Sequence, residues 1–229
     1  MNHAGHDDLQ RRSRGDVLSA RLQAATPHAL GLRMLSRDPV AAELPADAQH
    51  RLVLAALDDG AAVGAMLRAR HPALAPEQIA AALGIAVVRT RESPLAGPFW
   101  RHADYRSRPP EIRLFSTALA ALNTLLEQDR LGDCLGIADT AAIFVAHELY
   151  HHVDATREEP PLARRHAVTR LRLGPLRLDA PVLAMPEIAA GACAQALLGL
   201  RHHAAILDVV LLSRSCFAPS EDHEITAPR

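Results

Sequence analysis

Lysine is missing altogether: all 25 basic residues are arginine. Set against 26 acidic residues they leave a net charge of −1, so no overall basic field draws the chain to nucleic acid or to an anionic membrane. With alanine and proline also abundant, the arginine usage fits a coding bias better than a functional cluster. Aromatic residues are nearly as scarce, at 3% of the chain. The hydrophobic content of 49% rests largely on Ala and Leu, which favours closely packed helices over a β-sandwich. Cysteine is limited to Cys134, Cys193 and Cys216, an odd number at unrelated spacings. That excludes a disulfide framework and a CxxC metal pair, and suits a reducing compartment. No apolar segment opens the chain and no run reaches the ~18 residues of a membrane span. The expectation is a cytoplasmic protein that needs neither membrane nor direct nucleic-acid contact.

Against these absences one stretch stands out: Ala146-His147-Glu148-Leu149-Tyr150-His151-His152. It contains His-Glu-x-x-His, whose chance occurrence in a chain with this His and Glu content is about 0.03. On an α-helix His147 and His151 lie one turn apart on the same face and can direct nitrogens at one ion. Glu148 falls about 100° around the helix, where its carboxylate reaches a water beside the ion without taking a ligand place. The flanks agree. Ile137 to Val153 is mostly apolar with no Gly or Pro, and Asp139 is suited to accept the unpaired amides of a first turn. A largely apolar helix is a buried one, and two histidines and a glutamate in such a helix require partners.

In order along the chain, residues 1–16 are polar and predict a disordered arm. Residues 17–74 form an N-terminal helical segment, with short helices interrupted at Pro27, Pro39, Pro45 and Gly60, the clearest spanning Ala46–Leu57. Residues 75–213 form the principal domain, and 214–229 a flexible tail. Within the domain, Pro76 opens a helix that Gly84 ends, and Ile85–Val88 is a strand. Residues 93–110, with four prolines, predict a loop carrying Trp100, His102 and Tyr105; residues 111–116 predict a second strand and 117–130 a helix. A loop at 131–136 leads to the His helix. Arg and Leu alternate from Val168 to Asp179 about Gly174-Pro175, the pattern of a half-buried hairpin with Arg170, Arg172 and Arg177 on its outer face. Pro186 opens a helix rich in small residues, and an apolar segment at 204–212 closes the domain. The fold class expected is α+β, mainly helical, with a small sheet packed on the HExxH helix.

A catalytic zinc takes three protein ligands and leaves one position for water. Downstream of His151 the candidates are Asp154, Glu158, Glu159, His166 and Glu187; the adjacent His152 points about 100° away. Asp154 and Arg157 stand where a metzincin needs Gly and His, which excludes that class. Glu187 is favoured, because it lies in the first turn of a small-residue helix able to approach the His helix closely.

Pro76-x-x-Ile79, Leu83-Gly84-Ile85-x-Val87, Phe144-x-x-His147-Glu148-x-x-His151 and Glu187-x-x-Ala190-x-x-Cys193-Ala194 together resemble the ImmA/IrrE family of gluzincin-type metallopeptidases over residues 75–200. The resemblance implies a zincin-like core, Zn²⁺ held by His147, His151 and Glu187, Glu148 as general base, and a specific regulatory protein or peptide as substrate. Cys193 stands where that family usually has Phe. The strand near Ile112–Phe115 is expected to receive an extended peptide, and Tyr105, His102 or His166 to stabilise the oxyanion. Two other functions fit the same residues: a binding module that keeps the metal fold without cleaving its partner, and a zinc hydrolase of a small molecule.

Overall fold

The computed structural model describes Leu22 and residues 25–91, 95–96, 99–128 and 131–215; the expected arm at 1–16 and the chain beyond 215 lie outside them. The fold is α+β and mainly helical. Its helices are α1 (Pro27–Leu35), α2 (Ala46–Arg70), α3 (Pro76–Ala82), α4 (Ser116–Gln128), α5 (Leu131–Leu135), α6 (Thr140–Thr156), α7 (Leu162–Arg165), α8 (Ala184–Leu198) and α9 (Ile206–Ser215). The strands are β1 (Ala86–Thr90), β2 (Leu95–Ala96), β3 (Phe99–Trp100), β4 (Ala103–Ser107), β5 (Pro110–Phe115), β6 (Val168–Leu173) and β7 (Leu176–Ala180).

The centre of the molecule is helix α8, laid between α2 and α6. Helix α2 runs unbroken for 25 residues, well past the Leu57 end that Gly60 suggested. Gly60 is a contact point. A Cβ added there would stand 1.9 Å from the Ala189 carbonyl oxygen, and one at Gly64 would stand 2.5 Å from that of Cys193. Two backbones can lie this close only where one helix has no side chain. The same crossing leaves room for a small residue at Cys193, whose thiol is buried and pushed up to about 12 by that burial. Val53, Ala56, Val63 and Leu67 of α2 join Ile143, Val145 and Leu149 of α6 and Ile188, Ala189 and Ala190 of α8 in one core. Residues 27–70 therefore bury their apolar face in the same interior as residues 75–213.

The three-stranded sheet has the order β1-β5-β4, with β1 parallel and β4 antiparallel to β5. It packs on α6 through β4 and β5. The strand expected at 111–116 is thus central, with both edges hydrogen-bonded, and cannot receive a further chain. Among the described residues the unpaired edge beside α6 belongs to β4. Proline and arginine hid that strand in what the sequence presented as a loop; pairing with β5 and the Asp104–Arg113 ion pair across the register make it. The loop expected at 131–136 contains α5. The hairpin β6–β7 forms about Gly174, which has φ +57°, but it is exposed on both faces rather than half-buried. Among the described residues no helix is long and apolar enough to cross a membrane.

Two buried histidines outside the His-Glu cluster stay neutral. His102 lies flat on the Phe144 ring, with centroids 4.7 Å apart. His203 is fully buried, donates from Nε2 to the Ile188 carbonyl and accepts the Ala205 amide. Burial lowers both from 6.5 to about 4. The unfolded chain therefore binds more protons between these values, and their contribution to stability falls as pH drops through that window, by up to about 3 kcal/mol each. Urea unfolding between pH 7 and pH 4 should show a shallower acid loss for His102→Phe than for the native chain. Gly60→Ala should cost about 3 kcal/mol or more in the same assay, because the obstruction is backbone and cannot turn aside.

Candidate metal centre

Helix α6 starts where the sequence prescribes. The Asp139 carboxylate accepts the Ala142 amide at 3.1 Å, and the Thr140 hydroxyl donates to Asn123 at 2.7 Å, tying the first turn to α4. From this fixed start the helix buries Ile143, Val145, Ala146, Leu149 and Tyr150 and turns His147 and His151 toward the N-terminal turn of α8. There Glu187 meets them. Its Oε2 lies 3.2 Å from His147 Nε2 and its Oε1 3.5 Å from His151 Nε2, while the two Nε2 atoms are 3.3 Å apart.

This donor set fits a divalent ion. Four ligands at zinc bond lengths around a tetrahedron stand about 3.3–3.4 Å from one another, and these three donors do so already. Among the described residues His147, His151 and Glu187 are the one group of three or more such side chains gathered closely enough to hold a metal. Glu187 is crowded by protein at a distance, yet 51% of its own side-chain surface is exposed, so the centre is open to solvent. The charges are complementary. Burial alone would lower the His147 imidazole, but the Glu187 hydrogen bond and the nearby Glu148, Glu187 and Asp208 charges raise it to about 9. Burial would raise Glu187, yet its bond with His147 and the two imidazoles hold it at about 2. His151, governed by burial, is lowered to about 4 and offers a free lone pair.

Glu148 stays out of the donor triangle. It is 6% exposed and accepts no hydrogen bond among the described residues. Burial, with the Glu187 and Asp104 charges in support and His147 opposing, raises it to about 7. One turn on, His152 accepts or donates through Nδ1 to the Tyr105 hydroxyl at 2.9 Å, so β4 runs along the face of α6 that carries Glu148 and His152.

The other third-ligand candidates lie elsewhere. Asp154 is buried, accepts the Leu162 amide at 3.0 Å and pairs with Arg157 at 3.0 Å, closing the corner between α6 and α7. Glu158 and Glu159 are exposed in the following turn, and His166 caps α7. Of the three oxyanion candidates, Tyr105 borders the Glu148 face, whereas His102 is packed on Phe144.

A polar network behind the centre escaped the sequence reading. Asp59 of α2 accepts the Tyr150 hydroxyl at 2.7 Å, Arg157 through both oxygens at 3.0 and 3.1 Å, and Arg165 at 2.7 Å. Burial would raise the Asp59 carboxyl, but these three donors hold it at about 2. Tyr150 sits edge-on to His151, with centroids 5.9 Å apart, so the network braces the helix that carries His147 and His151 from behind. The available signal was the Asp58-Asp59 pair within residues 52–67, a stretch of α2 that is otherwise apolar. Asp208, exposed at the start of α9, also went unread, although its charge acts on both His147 and Glu187.

Comparison with protein-family models, curated proteins and solved structures finds no match, so the functional reading rests on the geometry. Asp59→Asn takes from Arg157 and Arg165 the charge they share and leaves Arg157 paired with Asp154. It should cost about 3 kcal/mol, against about 1 kcal/mol for Tyr150→Phe, in denaturant unfolding at neutral pH.

Proposed function

We propose that this chain is a zinc-dependent metallopeptidase with a zincin-like core, similar to the ImmA/IrrE family, that hydrolyses a peptide bond in a specific protein or peptide. The observation that carries the reading is the convergence of His147, His151 and Glu187, from two helices, on one point with 3.2–3.5 Å between donors. Beside them stands a buried carboxylate, Glu148, held by none of the described residues.

A zinc ion bound there supplies a Lewis acid that acidifies water and polarises a carbonyl. The chain's own groups do the remainder. Glu148, with its proton affinity brought near neutrality by burial, takes the proton of the attacking water and returns it to the leaving amine. The free edge of β4 offers backbone donors and acceptors to an extended substrate, alongside the face of α6 that carries Glu148. Tyr105 is the hydroxyl on that same strand suited to stabilise the oxyanion, and its hydrogen bond to His152 fixes its direction.

Metal analysis of the purified protein should find about one zinc per chain, falling to background in His147→Ala, His151→Ala and Glu187→Ala with helical content kept. Glu148→Gln should retain the metal and lose about 10²–10⁴-fold in cleavage of a mixed-sequence fluorogenic peptide library. Full activity in Glu148→Gln, or cleavage that survives chelation, would remove the reading. Metal-dependent capture of peptides without cleavage would favour the non-proteolytic module.

A further inference from the structure

The hairpin β6–β7 sorts its side chains completely. Cross-strand pairing sets Leu171 opposite Leu178 and Leu173 opposite Leu176, so four leucines occupy one face. The intervening pair, Arg172 and Arg177, takes the other. None of the leucines is covered: they are 48%, 60%, 66% and 60% exposed in the order 171, 173, 176, 178. The hairpin meets the rest of the molecule mainly at its base, where Val168 packs on the core and Arg170 pairs with Glu43 at 2.6 Å. A two-stranded ribbon exposing both faces is marginal in water, and a contiguous leucine surface of a few hundred Å² marks an interaction site.

We infer that the leucine face of β6–β7 is the contact between two copies of this chain, stacked face to face about a two-fold axis. The pattern is self-complementary. The face carries two equivalent Leu–Leu rungs and no charge, so an identical face meets it leucine on leucine, as an isologous interface requires. The area suits a weak pair: the four leucines expose about 400 Å² per copy, so two faces bury at most about 800 Å² from them, the range of concentration-dependent association. The charges disfavour a lipid surface. Arg170 is committed to Glu43 and Arg177 to Asp179 at 2.5 Å, leaving Arg172 alone on the ribbon for anionic headgroups. The inference is independent of the metal centre.

Sedimentation velocity of the full chain between 5 and 200 μM, with and without chelator, tests it. The native chain should double in mass with rising concentration in both conditions. Leu173→Thr/Leu176→Thr keeps β-preferring residues in a cross-strand pair; it should hold the monomer mass throughout and leave circular dichroism and thermal midpoint unchanged. A native chain still monomeric at 200 μM would overturn the inference. So would a double variant that dimerises as the native chain does, since another face would then be in use. Sedimentation of the monomer with phosphatidylcholine vesicles, lost in the double variant, would assign the face to lipid instead.

Discussion

Everything at the proposed centre depends on how near two backbones can come. Glu187 is carried by α8, and α8 is placed by its crossing with α2, where Gly60 and Gly64 meet the carbonyls of Ala189 and Cys193 without an intervening side chain. A long helix that contributes no ligand thereby sets the depth of the ligand helix. Small residues continue along α8 as Ala190, Gly191 and Ala194, and at Gly191 the His203 ring fills the space that a side chain would take. Packing of this kind is stiff, because interlocked backbones have no rotamers to adjust. A metal site benefits from that stiffness, since its donors must be held within a fraction of an ångström.

The division between what the sequence disclosed and what it concealed follows the range of the interactions. Helix α6 was legible from Asp139 through the His pair, because an N-cap, an apolar run and a spacing of four are local facts. The choice of Glu187 over Asp154, Glu158, Glu159 and His166 was also available, since only Glu187 begins a helix smooth enough to approach another. Gly60 was misread for the opposite reason. A glycine in isolation signals a break, and the cause of this one is a carbonyl more than a hundred residues away. Strand β4 was hidden likewise: its identity comes from its pairing with β5, and that pairing makes β5 central. Alternation in β6–β7 announced two unlike faces, with the arginines outside and the leucines covered, but neither face is covered.

The electrostatics of the two sides of α6 differ in purpose. On the side of the donor triangle Glu148, Glu187 and Asp208 all act on His147, with Arg101 opposing at Glu148 and Glu187 and Arg33 and Arg37 at Asp208. On the far side Asp59 and Asp154 face Arg157 and Arg165, and Tyr150 donates to Asp59.

The Asp59 cluster also bears on how this protein can change over generations. Its four members come from α2, α6, the turn after α6 and α7, and each answers the charge or hydroxyl of another. No single replacement is neutral, because removing Asp59 leaves Asp154 to face two guanidinium groups and removing either base leaves two carboxylates facing one. Relatives that lack one member should lack the others too, having exchanged the cluster as a block for apolar packing. Loss of Asp59 in a divergent homologue is then a marker of a rebuilt interior rather than of a lost activity.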